Sequence, residues 1–169
     1  MKSPEYWITQ LALLPHPEGG FYRETYRTAE LIPSPGLPSR FPAARNFSTA
    51  IYFLLRSHDR SLFHRIKSDE LWHFYAGGPL NIYILTDLGL TTYTLGSDLE
   101  KGESLQVVVP ANCWFGAKVV DENSYTLSGC TVAPGFDFAD FEMANRNTLL
   151  KTFPACKSII ELLTNDTAC

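Results

Sequence analysis

Apolar and polar residues alternate in short runs over most of the chain, which is the period-two pattern of half-buried β-strands. The runs lie at 80–86, 90–95, 105–109, 114–119 and 124–132, and the near-continuous apolar run at 48–55 predicts a further strand that is buried on both faces. Turn-forming residues separate them, and the strands recur at spacings of roughly 8 to 12 residues. This arrangement predicts a mostly β protein, built as an antiparallel sandwich or barrel.

Helical spacing replaces this alternation at both ends of the chain. Ser3 and Pro4 are a favourable N-cap and first helical residue, and apolar residues at helical spacing follow until Pro15. Near the other end, apolar residues at helical spacing begin at Phe138 and return after Ser158. We therefore expect a barrel over about 18–133, an N-terminal helix, and a C-terminal helical segment over about 138–164.

The composition sets limits on size, partners and compartment. The 169 residues, 45% of them hydrophobic, suffice for a single domain over 1–169 with one core. The formal net charge of -4 provides no basic surface for nucleic acid. No apolar run reaches the roughly 18 residues that span a bilayer, and the N-terminus lacks the apolar core of an export signal. We predict a cytoplasmic protein without nucleic-acid or membrane partners.

The four cysteines are scattered along the chain, at Cys113, Cys130, Cys156 and Cys169. They form no C-x-x-C pair and no zinc-ribbon spacing. In a reducing compartment this pattern is typical of ordinary thiols and does not indicate a structural zinc site.

The densest group of reactive side chains lies between residues 63 and 78. Residues two apart share one face of a strand, so His64 and Glu70 point the same way if any turn between them preserves the phase. An imidazole and a carboxyl group that converge on one cavity can bind a metal, act as an acid and base, or hold a polar ligand. They can equally form a structural hydrogen-bonded pair, and the spacing leaves these alternatives open.

Two further segments bear on a ligand site. Residues 21–27 alternate as a strand in which Arg23 and Glu24 stand among aromatic residues. Such a strand can line a ligand cavity, form a subunit contact, or lie at a sheet edge with solvated charges. The proline-rich residues 30–44 predict a long surface loop.

Several motifs resemble those of one protein family. Glu70 and Gly77, preceded by His64, match the first cupin motif, and residues 110–115 resemble the second. The chain as a whole is similar to the DUF985 (Cupin_5) family, through the blocks HPEGGFYRE at 16–24, STAIYFLL at 48–55, SDELWHFYAGGPL at 68–80, LQVVVPANCWFGA at 105–117 and APGFDFADFE at 133–142. The resemblance implies a jelly-roll β-barrel and a homodimer.

This resemblance also bears on a metal cofactor. A cupin metal centre usually takes three His and one Glu, but Ile66 and Phe115 stand where two of those His would be, and Asn112 replaces a motif Gly. His64 and Glu70 alone are too few to hold a transition metal tightly. We therefore predict no cofactor, with weak binding of a divalent metal by His64 and Glu70 left open.

Some cupins epimerise nucleotide-linked sugars without a metal, and they use a His as base and a Tyr as acid. His64 is similar in position to that base. The position of the acid is occupied here by Ser128, with Tyr125 and Tyr75 as candidate substitutes. The first hypothesis is therefore a metal-independent isomerase or epimerase with His64 as general base and Glu70 as the residue that tunes it.

Binding residues follow from the same resemblance. Arg23 or Arg45 would bind the phosphate of a nucleotide or nucleotide-sugar. A second hypothesis is a binding module without turnover, in which aromatic rings hold the ligand. The predicted ligand-binding residues are Phe21, Arg23, Glu24, Arg45, His73, Tyr75, Trp114 and Phe115. A metal-dependent cupin enzyme is the third alternative.

Overall fold

The structure, a computed structural model, describes residues 2–165, and Cys169 lies outside this range. The helices are α1 (Pro4–Gln10), α2 (Arg146–Thr152) and α3 (Lys157–Leu162). The strands are β1 (Leu14–Pro15), β2 (Phe21–Arg27), β3 (Leu31–Ile32), β4 (Arg45–Asn46), β5 (Thr49–Arg56), β6 (Ser61–Arg65), β7 (Asp69–Gly77), β8 (Leu80–Thr86), β9 (Gly89–Leu95), β10 (Gln106–Val109), β11 (Trp114–Val119), β12 (Tyr125–Ala133) and β13 (Glu142–Met143).

Two antiparallel sheets pack against each other. One has the order β1-β2-β5-β12-β7-β10, the other β13-β6-β11-β8-β9, and β3 pairs separately with β4. Between β5 and β12 the chain passes repeatedly from one sheet to the other, as in a jelly roll. The mostly β jelly-roll prediction is therefore confirmed, although the two sheets form a sandwich and do not close into one continuous barrel.

The main core lies between the two sheets and follows from strand alternation. Phe53 of β5, Trp72 of β7 and Phe115 of β11 all point inward and are about 1% exposed. The opposite face of the six-stranded sheet is covered in part by α1, and the five-stranded sheet packs against α2 and α3. None of the helices in residues 2–165 is long and apolar enough to cross a lipid bilayer.

Two predicted boundaries are wrong. The segment after β12 does not begin with an α-helix, because the Asp137 side chain accepts a hydrogen bond from the Ala139 backbone N–H and caps a 3-10 turn at Phe138–Asp140. The strand β13 and only then α2 follow this turn. The proline-rich loop contains β3, which pairs with β4, and a further 3-10 turn at Ser34–Gly36.

Candidate functional site

A cavity of about 300 Å³ lies between the sheets, bounded by β2, β5, β6, β7 and β12, the loop before β2, and the segment after β12. Its titratable side chains are His16, Glu18, Tyr22, Glu24, Arg27, His64, Glu70 and Cys130. Aromatic rings form much of the remaining wall, from Tyr22, Phe53, Trp72, Phe136, Phe138 and Phe141. The cavity therefore combines an apolar wall with a small group of ionisable residues, as ligand sites generally do.

The loop before β2 brings Glu18 into the cavity because two glycines follow it. Gly19 and Gly20 both have positive φ, at 112° and 72°. A Cβ at Gly19 would collide with the backbone carbonyl of Arg60, so the close approach of the loop to the start of β6 requires glycine there. The Leu62 backbone N–H donates to the Glu18 carbonyl at 2.9 Å and fixes the loop on β6.

His64 and Glu18 form a buried hydrogen-bonded pair. His64 Nδ1 lies 2.7 Å from the carbonyl oxygen of Leu62, which accepts only, so Nδ1 carries the hydrogen. Nε2 lies 3.1 Å from Glu18 Oε2, and Ser61 Oγ donates to Glu18 Oε1 at 2.7 Å. The backbone therefore fixes the imidazole tautomer and directs Nε2 at the carboxyl group.

Burial sets the protonation states of this pair. The pKa of His64 is lowered from 6.5 to about 4, because burial disfavours the imidazolium more than the Leu62 carbonyl stabilises it. Burial also raises the pKa of Glu18. At neutral pH the imidazole of His64 is therefore uncharged, and burial favours the protonated form of the Glu18 carboxyl group beside it.

Glu70 is a second buried carboxyl group in the cavity. It lies on β7 and is 8% exposed. Its pKa is raised to about 8, first by burial and then by the nearby Glu18 carboxyl group, whereas a hydrogen bond with Cys130 acts in the lowering direction. Glu70 is therefore largely protonated at neutral pH and presents a hydroxyl donor to the cavity.

The next residue on the inner face of β7 is Trp72, which lies opposite Cys130 of β12. Trp72 is 1% exposed and its ring lines the cavity. Its Nε1–H has no hydrogen-bond acceptor among residues 2–165. The inner face of β7 thus carries two neighbouring donors, Glu70 and Trp72.

A charged pair lies at the solvent-exposed part of the cavity wall. Arg27 donates to both carboxylate oxygens of Glu24, at 3.0 and 2.7 Å, and to the backbone carbonyl of Phe136 at 3.0 Å. The register of β2 against β5 shifts between Glu24 and Tyr26, which marks an irregularity at Thr25. Because of this shift, Glu24 and Arg27 both line the cavity although they are three positions apart.

Of the ten residues predicted from the sequence, His64, Glu70 and Glu24 line this cavity. His64 and Glu70 share it, as the alternation required, although they belong to different sheets. Phe115 lies in the core behind the site, where its ring centroid is 4.1 Å from that of His64. Phe115 therefore supports the imidazole.

Four predicted residues lie on the opposite face of the six-stranded sheet, so their predicted place in the cavity is wrong. Phe21 packs under α1, and Arg23 lies 5.8 Å from the ring of Tyr52. His73 Nε2 is hydrogen-bonded to Thr131, and Tyr75 is 52% exposed. These side chains point away from the cavity because neighbouring residues of a strand point to opposite faces of the sheet.

Arg45 and Trp114 are also outside the cavity. Arg45 forms a buried bidentate ion pair with Asp140, at 2.6 and 2.7 Å, which leaves its guanidinium engaged within the protein. Trp114 faces the C-terminal helices, where the guanidinium of Arg65 lies 4.4 Å from its ring centroid.

The two candidate substitutes for the missing acid lie outside the cavity as well. The Tyr125 hydroxyl accepts a hydrogen bond from Trp7 Nε1 of α1 at 2.8 Å. Tyr75 packs across Gly129 on the outer face of the sheet. The candidate proton donors that line the cavity are therefore the Tyr22 hydroxyl and the carboxyl groups, of which Glu70 is largely protonated at neutral pH.

The residues of the cavity do not fit a metal centre. No group of three His, Cys, Asp or Glu side chains within 2–165 is arranged to hold a metal ion. Ile66 and Phe115 are apolar, and His64 Nε2 and Glu18 Oε2 are hydrogen-bonded to each other at 3.1 Å. The donor set favours proton transfer between side chains.

Sequence reasoning missed His16, Glu18, Arg27, Trp72 and Cys130. Strand parity could have predicted Trp72, because a residue two positions after Glu70 lies on the same face of the strand. The HPEGG loop offered a weaker signal, a His and a Glu immediately before two glycines. The inward placement of Arg27 depends on the shift at Thr25, for which the sequence pattern gives no sign.

The fold defines the class of protein, a jelly-roll protein of the cupin type with a cavity of about 300 Å³ between its sheets. A sequence model of one family, Cupin_5, described as "Cupin superfamily (DUF985)", matches residues 5–144. The chain belongs to this family, which confirms the resemblance found in its motifs.

Individual relatives cover nearly the whole chain. It is similar to a solved structure described as a hypothetical protein from Leishmania major, with a TM-score of 0.89, 32% identity, and coverage of 98% of this chain and 100% of that one. Protein SO0799 from Shewanella oneidensis has a TM-score of 0.88 and 40% identity, with 99% and 100% covered. "Uncharacterized protein YML079W" of Saccharomyces cerevisiae is 27% identical over 95% of this chain and 84% of its own length.

Proposed function

We propose that the protein is a metal-independent isomerase or epimerase that moves a proton on a small polar molecule held in the cavity. The observation that supports this most is the pairing of a buried base with a buried acid. The hydrogen-bonded pair of His64 and Glu18 and the protonated Glu70 line the same enclosed space. Groups with opposite proton-transfer roles and strongly perturbed pKa values are typical of acid–base catalysis.

The base in this proposal is the hydrogen-bonded pair. Glu18 takes a proton from the substrate, and a proton passes across the 3.1 Å contact between Glu18 Oε2 and His64 Nε2 to the imidazole. The resulting imidazolium is held by the Leu62 carbonyl at Nδ1. Glu70 supplies a proton to the oxygen of the substrate, so the charge that develops on the substrate is balanced inside the cavity.

The part of the proposed substrate that contacts Glu18, His64 and Glu70 is uncharged. The two arginines suggested for a nucleotide phosphate, Arg23 and Arg45, lie outside the cavity, and Arg27 is engaged with Glu24. A phosphate inside would be desolvated against a largely apolar wall, where Arg27, the one arginine or lysine among the lining residues, is already paired with Glu24. A sugar-like molecule with hydroxyl and carbonyl groups suits the aromatic wall and the two carboxyl groups.

A second function, binding without turnover, is favoured by the aromatic wall formed by Phe136, Phe138 and Phe141 together with Tyr22 and Trp72. Such rings hold a flat or sugar-like ligand without any chemistry. This alternative predicts that ligands raise the melting temperature and undergo no exchange of protons with the solvent.

Solvent exchange separates the two functions. The protein is incubated in D₂O with a panel of aldoses and ketoses, and loss of the C–H signal next to the carbonyl is followed by proton NMR. We expect exchange with at least one sugar, and a fall of about 100-fold to 10,000-fold in its rate in His64→Gln. His73→Gln, on the outer face, is the matched control and keeps the wild-type rate. A sugar that raises the melting temperature and shows no exchange would instead establish the binding module.

A further inference from the structure

The inner face of β7 carries a donor that the proposed proton transfer does not use, the indole N–H of Trp72. It is 1% exposed, and its Nε1–H has no acceptor within residues 2–165. By contrast, the indole N–H of Trp7 donates to the Tyr125 hydroxyl at 2.8 Å. Indole can only donate, and buried N–H groups normally have an acceptor, so Trp72 is unusual.

The position of this donor relative to Glu70 is set by the strand. Residues two apart on one strand point to the same face and are separated by roughly 6.6 Å along it. Both line the cavity, and the two β12 residues opposite them are Val132 and Cys130. Neither of those neighbours on β12 carries a strong acceptor that would occupy the indole N–H.

We propose that Trp72 and Glu70 together bind the carbonyl oxygen of the substrate, and that the substrate is an uncharged carbonyl compound that reacts through its enolate. This assignment rests on the proposed proton-transfer function and names its substrate class. A neutral carboxyl group and an N–H in an apolar site are the donors that stabilise charge developing on oxygen.

The step balances without a further reactant. The pair of Glu18 and His64 removes a proton from the carbon next to the carbonyl, and the electrons of that C–H bond form a carbon–carbon double bond. The carbonyl π electrons move to oxygen, where the Trp72 N–H and the Glu70 hydroxyl donate to it. Return of the proton to the opposite face of the same carbon gives an epimer, and return to the neighbouring carbon, with a hydroxyl proton moved to balance it, gives an isomer.

Substituted nitrophenols test the donor pair without any turnover, because a phenolate carries its negative oxygen on a planar carbon, as an enolate does. The probe is 3,4-dinitrophenol, titrated into ¹⁵N-labelled protein and followed by absorbance and by the indole ¹H–¹⁵N signals. We expect saturable binding and a downfield shift of the Trp72 indole proton. Trp72→Phe keeps an aromatic ring and removes the N–H, and should weaken binding at least about tenfold.

Trp7→Phe and Trp114→Phe are the matched controls, since both remove an indole N–H outside the cavity. Each should bind the phenolate within about twofold of wild type. They also assign the Trp72 signal by elimination, so the shift can be read on the wild-type protein if Trp72→Phe fails to fold. An unmoved Trp72 signal, unchanged affinity in Trp72→Phe, or no binding of the phenolate to wild type would each overturn the proposal.

The two proposals fail separately. If sugars exchange protons equally fast with Trp72→Phe and with wild type, the assigned role of Trp72 is refuted. The proposed proton-transfer function is unaffected by that result. Phenolate binding with the expected shift, but no exchange in any sugar, would refute the proton-transfer function and retain the oxygen-binding donor pair.

Discussion

The inner and outer faces of the six-stranded sheet carry similar kinds of residue in opposite environments. Along β7, Glu70 and Trp72 point into the cavity, whereas His73 and Tyr75 point outward. Trp72 is 1% exposed and Tyr75 is 52% exposed, although three positions separate them. Strand alternation alone produces this contrast.

The two histidines of this region show what the contrast means for chemistry. His64 is 2% exposed, and its two nitrogens are engaged by the Leu62 carbonyl and Glu18. The ring nitrogens of His73 meet the neutral side chains of Thr131 and Gln106 near the solvent. The inner histidine is thus fixed in tautomer and shielded from water, the conditions under which an imidazole serves as a tuned base.

Residue type alone does not distinguish the residues of the cavity from those of the outer face. Aromatic, imidazole and arginine side chains occur on both faces, and burial beside an acidic group distinguishes the inner set. Substitutions on the inner and outer faces should therefore differ in their consequences.

The largest expected effect is the loss of stability on truncating Trp72. Trp72→Ala removes a buried ring that contacts Phe53 edge to face at 5.4 Å, and should lower the free energy of unfolding by about 3–5 kcal/mol. Tyr75→Ala, on the outer face, should cost less than about 1 kcal/mol. Urea denaturation followed by far-UV circular dichroism measures both. Similar losses in the two variants would contradict the assignment of inner and outer faces.

The parts of the fold that sequence reasoning predicted are those that depend on local periodicity. The short β-prone runs of β5, β8, β11 and β12 predicted the strands, and residue parity predicted a shared face for His64 and Glu70 if the turn between them kept the phase. Both features are set by neighbouring residues along the chain, which the sequence displays directly.

The parts that it missed depend on contacts between distant segments. Glu18 reaches His64 because Gly19 and Gly20 allow the loop to approach β6, and Arg45 is taken out of the site by Asp140, which lies 95 residues away. Neither pairing has a local signature. The aromatic and basic residues of the outer face suggest binding by their chemistry, but strand parity turns them away from the cavity.

The free energy of unfolding should depend on pH through Glu70. The folded-state pKa of Glu70 is about 8 against an ordinary value of 4.5, so the folded protein keeps this proton where the unfolded chain has lost it. The stabilisation is complete below about pH 4.5 and is lost as the pH rises through about 8. Relative to Glu70→Gln, wild type should therefore lose up to about 1.4 kcal/mol of unfolding free energy per pH unit in this range.

Comparison at several pH values isolates Glu70 from its neighbours. The charged and titratable groups that share the cavity are His16, Glu18, Tyr22, Glu24, Arg27, His64 and Cys130. His64 acts in the opposite direction, because its pKa falls from 6.5 to about 4 and its contribution is lost as the pH drops through that range. The window from about pH 6.5 to 8 is therefore the cleanest for Glu70, and parallel curves for wild type and Glu70→Gln there would refute the raised pKa.

The smallest expected effect comes from the outer face. Arg23→Gln removes a guanidinium that is exposed and lies 5.8 Å from the ring of Tyr52, so it should cost less than about 1 kcal/mol in urea denaturation. Because Arg23 is absent from the cavity wall, the affinity for 3,4-dinitrophenol should stay within about twofold of wild type. Arg27→Gln alters the charged pair with Glu24 in the cavity wall and should change that affinity by more. If the affinity depended on Arg23 and not on Arg27, the phenolate would bind on the outer face of the sheet. That result would contradict a binding site in the cavity.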